Sequence, residues 1–132
     1  MTQAKPKILL VDDDLDILTS VGILLRKSGY EVETREKVTD LESAVREVKP
    51  DLILLDVMFA GMLQDGFSAC RALRAIPELK AIPLVMFTAI NEYYPFAFSP
   101  DGHDLPADAL IDKATPASTF LDKIAKLIKP AG

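Results

Sequence analysis

Apolar runs of strand length alternate with longer amphipathic stretches along this chain. Lys7–Val11 and Leu52–Leu55 are almost entirely aliphatic, and each is followed directly by aspartate. Pro83–Thr88 and Ala109–Asp112 are similar runs, whereas Tyr30–Thr34 alternates apolar with acidic residues. Continuous apolar runs are typical of strands buried on both faces, and alternation is typical of a strand with one exposed face. The pattern therefore predicts five strands.

Between the strands, apolar residues recur at helical spacing and predict four helices. Asp13 or Asp14 is a candidate N-cap for the first helix, and Gly29 a candidate stop. Thr115 and Pro116 are the expected N-cap and first residue of the last helix. The predicted helices span Leu15 to Gly29, Leu41 to Pro50, Asp65 to Pro77 and Thr115 to about Lys129.

Strands buried on both faces and alternating with helices predict a parallel sheet with right-handed crossovers. We expect a flavodoxin-like, doubly wound α/β fold with strand order 2-1-3-4-5. Residues 91–107 contain Pro95, Pro100 and Pro106, so a long irregular loop is expected there in place of a fourth helix. Residues 1–132 are predicted to be a single domain with no output domain.

Composition narrows the class of protein. The chain has 132 residues and a formal net charge of -5, and this acidic balance disfavours direct nucleic-acid binding, which relies on a basic surface. No apolar run approaches the roughly 20 residues that span a bilayer, and the N-terminus is polar. The single cysteine, Cys70, cannot form an internal disulfide, and a cytoplasmic location is therefore expected.

Five polar residues end four of the predicted strands. Asp12 and Asp13 follow the first strand, Asp56 the third, Thr88 ends the fourth and Lys113 follows the fifth. The carboxyl ends of parallel strands share one edge of the sheet, where ligands bind. Two like charges ~4 Å apart repel by about 4 kcal/mol at an effective dielectric near 20, so the acids need a proton or a divalent cation. An all-oxygen donor set favours Mg²⁺.

The polar residues at the strand ends and the segments around them, in this order, resemble the receiver domain of two-component response regulators over nearly the whole chain. The resemblance implies that Asp56 is the phosphoacceptor and that Asp12, Asp13, Asp56 and the main-chain carbonyl of Met58 hold Mg²⁺, with Mn²⁺ as an alternative. Thr88, Ala89 and Lys113 would surround the phosphoryl group. The segments that carry the resemblance are Ile8–Asp14, Pro50–Asp56, Asp65-Gly66, Pro83–Ala89 and Lys113.

The same resemblance implies a signalling role. The expected phosphoryl source is a histidine kinase or a phosphotransfer protein, and the output is contact with a downstream protein; dimerisation stays open. The chain would be a phosphoacceptor that catalyses its own phosphorylation and dephosphorylation rather than an enzyme with a separate substrate. Neither direct nucleic-acid binding nor membrane binding is expected.

The sequence departs from the family pattern in three places. No Met-Pro pair follows Asp56, and Leu110 stands where an aromatic residue is usual. Third, the proline-containing stretch 91–107 replaces the fourth helix of the family, and Ala114 replaces the proline after Lys113. The predicted loop at 91–107 is also unusually aromatic. Either its aromatic residues cover the sheet or they form a partner-binding loop; these residues are Tyr93, Tyr94, Phe96 and Phe98.

Two other functions compete with a phosphorylated receiver. A haloacid-dehalogenase-like phosphatase would use Asp12 as nucleophile and Asp14 as acid/base, but it needs a later acidic motif, for which only Asp122 is available. It also leaves Asp56 without a role. The second alternative is an interaction module with the receiver fold that is never phosphorylated.

Overall fold

The structure is a computed structural model that describes residues 5–36, 41–55, 71–88 and 108–128, with only the backbone at 88 and 110. Five parallel strands form one sheet in the order β2-β1-β3-β4-β5, which confirms the predicted flavodoxin-like topology. The strands are β1 Lys7–Val11, β2 Glu31–Arg35, β3 Leu52–Leu55, β4 Leu84–Thr88 and β5 Ala109–Asp112.

Among the described residues, three helices that lie wholly within view flank the sheet, and local sequence explains where the first two begin or end. Asp14 caps α1, since its side chain accepts a hydrogen bond from the Asp16 N–H. Gly29, with a φ of 99°, lets the chain turn after α1, and Lys49 adopts a φ of 54° after α2. Only glycine takes such angles without steric cost. The helices are α1 Leu15–Lys27, α2 Leu41–Val48 and α3 Ala117–Leu127.

Each face of the sheet is covered by its own apolar core. Leu9, Val11 and Ile53 face α2 and the segment at 71–82. Leu10 and Leu54 face the opposite side, where α1 and α3 pack. Alternate residues of β1 and β3 thus point to different cores, which explains why these strands are aliphatic throughout.

The segment at 71–82 is also tied to α2 by charge. The Arg46 guanidinium donates to Glu78 at 2.7 Å and to Glu42 at 3.0 Å. Hydrogen bonds to Glu78 first and Glu42 second raise the pKa of Arg46 above its ordinary value.

Some predicted boundaries were wrong. Pro116 is the N-cap of α3 and Thr115 precedes it, because the extended backbone of Pro116 (ψ 148°) places the first helical residue at Ala117. The helix predicted between Asp65 and Pro77 ends at 74. A turn follows it, closed by a hydrogen bond from the Ile76 N–H to the Leu73 carbonyl. The start of that helix and the predicted loop at 91–107 lie outside the described residues. Within the described part of the chain, no helix is long and apolar enough to cross a membrane.

Candidate functional site

Two predicted site residues from distant strands meet at the carboxyl edge of the sheet. Asp12 follows β1 and Lys113 follows β5, and the Lys113 Nζ lies 2.8 Å from Oδ2 of Asp12. Strands β3 and β4 separate β1 from β5 in the sheet. The ion pair therefore joins the ends of β1 and β5 across the two strands between them. Ligands of open parallel sheets bind at this edge.

Main-chain and side-chain contacts hold Asp12 at the end of β1. Its main-chain N–H donates to the Arg35 carbonyl at 3.1 Å, which extends the β1–β2 pairing by one residue. Its Oδ1 accepts from the Asp14 N–H at 2.9 Å, and its Oδ2 pairs with Lys113. The residue is fully buried, the only buried charged residue among those that the structure describes. A buried carboxylate is tolerated when it is paired and hydrogen-bonded, as here.

Lys113 lies in the turn that follows β5, and its ammonium is near an aromatic ring. Its side chain is 20% exposed, and its Nζ lies 6.0 Å from the centre of the Phe87 ring. Phe87 is itself buried and packs on Phe120 of α3, with ring centres 5.2 Å apart. Sequence reasoning did not find Phe87 as part of the site, because a phenylalanine inside a buried strand carries no signal beyond core packing.

The strand register relates the remaining predicted residues to this pair. Leu55, the last residue of β3, is the register partner of Val11, so Asp56 and Asp12 both follow directly from paired positions. The backbone of Thr88 is paired with Asp112, the residue before Lys113. Thr88 and the positions directly after β1, β3 and β5 are thus at the same edge of the sheet. The three residues at those positions are Asp12, Asp56 and Lys113.

Several predicted site residues lie outside the described part of the chain. The Thr88 side chain is also not described. The residues outside are the predicted phosphoacceptor Asp56, the metal ligand Met58, the phosphoryl neighbour Ala89 and the aromatic set Tyr93, Tyr94, Phe96 and Phe98.

The donor chemistry that is described fits a hard divalent cation. Asp12 and Asp13 are consecutive carboxylates at the sheet edge, and oxygen ligands of this kind suit Mg²⁺. Asp13 is exposed, so one of the two acids faces solvent from which a hydrated ion could arrive. Among the described residues no cluster of three acidic, histidine or cysteine residues could hold a metal, and the third predicted carboxylate is Asp56.

Comparison with known families assigns this fold to a family. The family model for the response regulator receiver domain matches residues 8–125. The chain belongs to the response regulator receiver domain family. The match begins in β1 and ends in α3, so it includes every strand of the receiver sheet and both Asp12 and Lys113.

Individual relatives agree with this assignment. Over 89 residues the receiver domain is 40% identical to the DNA-binding response regulator MtrA of Mycobacterium tuberculosis, and the match covers 67% of this chain and 37% of MtrA. This chain therefore matches little more than a third of that relative. The BeF3-activated N-terminal receiver domain of RstA from Klebsiella pneumoniae is 29% identical, with a TM-score of 0.76 over 94% of this chain and 99% of that one.

A third protein shares the fold at lower identity. It is the receiver domain of the sensor histidine kinase PA1611 from Pseudomonas aeruginosa, whose structure has a magnesium ion in the active-site cleft. It is 22% identical to the present receiver domain, with a TM-score of 0.79 over 95% of this chain and 98% of that one.

Proposed function

We propose that this receiver domain accepts a phosphoryl group on Asp56 in a Mg²⁺-dependent reaction and signals through contact with another protein. The observation that carries the proposal is the buried Asp12–Lys113 ion pair at the sheet edge. Asp56 follows a strand whose last residue is in register with the one before Asp12. An acid, an ammonium and a candidate nucleophile are thus assigned to one edge.

In this proposal each residue has a separate task. The Asp56 carboxylate attacks the phosphorus of the donor; an O–P bond forms to Asp56 as the bond to the leaving group breaks. Asp12 and Asp13 would hold Mg²⁺ with Asp56 and the Met58 carbonyl, or Mn²⁺ in the same set. The ion supplies positive charge to the phosphoryl oxygens. The Lys113 ammonium binds one phosphoryl oxygen, the Thr88 hydroxyl donates to another, and Ala89 leaves space beside them.

The ion pair also explains how the acids are tolerated before the metal binds. Asp12 is fully buried, so an uncompensated charge there would be strongly destabilising. The Lys113 ammonium supplies that compensation at 2.8 Å. A cation held by Asp12 would supply the same compensation and would leave the Lys113 ammonium to bind a phosphoryl oxygen.

The contacts of Asp14 favour a receiver over a phosphatase with Asp12 as nucleophile. Such a phosphatase would require Asp14 as its acid/base. Asp14 instead accepts the Asp16 N–H at 2.9 Å as the N-cap of α1.

The proposed partners follow from the family. Receiver domains work with histidine kinases and with effectors, so the phosphoryl source is a histidine kinase or a phosphotransfer protein in the cytoplasm. The chain would promote its own phosphorylation and dephosphorylation without a separate substrate. Tyr93, Tyr94, Phe96 and Phe98 remain candidates for a partner-binding loop, with a cover for the sheet as the alternative.

Intact-mass measurement tests the proposal. The chain is incubated with phosphoramidate or acetyl phosphate and Mg²⁺, and the expected result is a gain of one phosphate. The gain should be absent with EDTA and in Asp56→Asn, and unchanged in the surface control Asp122→Asn. No gain from any donor would refute the proposal and favour an interaction module that is not phosphorylated.

A further inference from the structure

The turn that carries Lys113 is closed twice by the residue before it. The main-chain carbonyl of Asp112 accepts the Thr115 N–H at 2.9 Å, and its side-chain Oδ1 accepts the Ala114 N–H at 2.9 Å. An aspartate that accepts a backbone N–H two residues further along fixes the local chain direction. Both acceptors that define the turn at 112–115 therefore come from Asp112.

The elements on either side of this turn are anchored in the core. Ile111 of β5 is 1% exposed, and Phe120 and Ile124 of α3 are 3% and 0% exposed. The backbone of Asp112 is also in register with Thr88 of β4. With both flanks fixed, the hydrogen bonds of Asp112 determine how the short connection presents Lys113.

The direction of the Lys113 side chain matters because its ammonium has a defined position. The Nζ lies 2.8 Å from Asp12 and 6.0 Å from the centre of the Phe87 ring. A lysine side chain has many rotamers, so a shift of its backbone would spread the ammonium over several positions. A misplacement of about 1 Å is enough to slow a reaction that depends on alignment.

We infer that Asp112 is a positioning residue for Lys113: its side-chain oxygen holds the turn that directs the Lys113 ammonium toward Asp12 and the phosphoryl site. The inference rests on the proposed function for its effect on phosphorylation. What matters is the hydrogen-bond acceptor at Oδ1 and not the negative charge. Asp112 itself touches neither the phosphoryl group nor the metal in this role.

Three variants separate the acceptor from the charge and from general stability. Asp112→Asn removes the charge and keeps a carbonyl oxygen at the same position. Asp112→Ser keeps a weaker acceptor, and Asp112→Ala removes it. Each substitution is also made in Lys113→Met, where an effect that acts through the ammonium must disappear.

The first measurement is the rate of phosphate gain at saturating phosphoramidate and Mg²⁺. We expect Asp112→Ala to be slower by about five-fold or more, the factor that corresponds to one lost hydrogen bond. Asp112→Asn should stay within about two-fold of the unmodified chain on the same grounds, with Asp112→Ser between them. In Lys113→Met, Asp112→Ala should cause no further slowing.

The second measurement needs no phosphorylation. NMR of the chain labelled with ¹³C at lysine Cε reports the order of Lys113, and amide exchange reports the Ala114 N–H. Both should be perturbed in Asp112→Ala and preserved in Asp112→Asn. Equal effects of the two variants, no effect of Asp112→Ala, or equal slowing in Lys113→Met would overturn the inference. A chain that takes up no phosphate would refute the proposed function instead, and the NMR comparison would still decide this point.

Discussion

The Lys113 ammonium lies 2.8 Å from a carboxylate oxygen of Asp12, although their strands, β5 and β1, are separated by two others in the sheet. Asp12 is fully buried, whereas Lys113 retains 20% of its side-chain exposure. The lysine thus connects the buried acid to the solvent-accessible edge. Its removal affects both the stability of the domain and the chemistry proposed for that edge.

Lys113→Met should destabilise the domain, because it leaves the Asp12 carboxylate buried without its counter-ion. Removing one partner of a fully buried pair costs about 3–5 kcal/mol. Because Lys113 is partly exposed, we expect a loss of about 3 kcal/mol in the free energy of unfolding. Urea denaturation measures this loss. The control is Lys126→Met, whose partner Asp122 is 3.1 Å away but exposed, so its effect should stay below about 1 kcal/mol. Equal losses would contradict a buried ion pair.

The neighbouring acids Asp13 and Asp14 should respond differently to the same substitution. Asp13→Asn removes a proposed Mg²⁺ ligand charge and should weaken Mg²⁺ binding by about ten-fold or more, measured by calorimetry. Asp14→Asn should leave Mg²⁺ affinity and stability nearly unchanged, since an asparagine oxygen still caps α1. A larger loss of Mg²⁺ affinity in Asp14→Asn than in Asp13→Asn would contradict the proposal that Asp13, and not Asp14, is the metal ligand.

Lys49→Gly should stabilise the domain. Lys49 has a φ of 54°, where a side chain is strained and glycine is not. The expected gain is about 0.5–1 kcal/mol, because the flexibility of glycine in the unfolded chain offsets part of the relief. Thermal unfolding tests this. Lys123→Gly, inside α3, should instead lower stability by a similar amount, about 0.5–1 kcal/mol. A loss of stability in Lys49→Gly would show that the left-handed conformation is not strained.

Leu54→Ala should test the central position of β3. Leu54 is fully buried, in the core that also contains residues of α1 and α3. Its truncation should cost about 3 kcal/mol through lost burial and a residual cavity. Ile23→Ala, at a side chain that is 47% exposed, should change stability by no more than about 0.5 kcal/mol. Similar costs at the two positions would place Leu54 nearer the surface than in this sheet order.

Strand identity and order could be predicted from sequence because each strand has its own apolar pattern. The four-residue runs of β3 and β5 were predicted with their observed bounds, and α2 begins at the predicted Leu41 and ends at Val48, just before the predicted stop at Pro50. Parallel pairing then fixes which strand ends share an edge, so Asp12 and Lys113 could be expected together.

Other features depend on contacts that no local pattern records. Phe87 lies beneath Lys113 only because β4 and β5 are paired and α3 covers their face. The start of α3 was wrong by one residue, since a proline suits both the N-cap and the first turn. The contact made by Asp112 could not be predicted from the sequence either, because its side chain accepts from a backbone N–H, that of Ala114, and not from another side chain.

Asp56 is the proposed carrier of the phosphoryl group, and chemical reduction of the acyl phosphate identifies the residue that bears it. Borohydride converts an aspartyl phosphate to homoserine, which tandem mass spectrometry locates in the peptide. After incubation with phosphoramidate and Mg²⁺, we predict homoserine at residue 56 and aspartate retained at 12, 13 and 14. Homoserine at residue 12, or no homoserine in a chain that has gained phosphate, would contradict phosphorylation of Asp56.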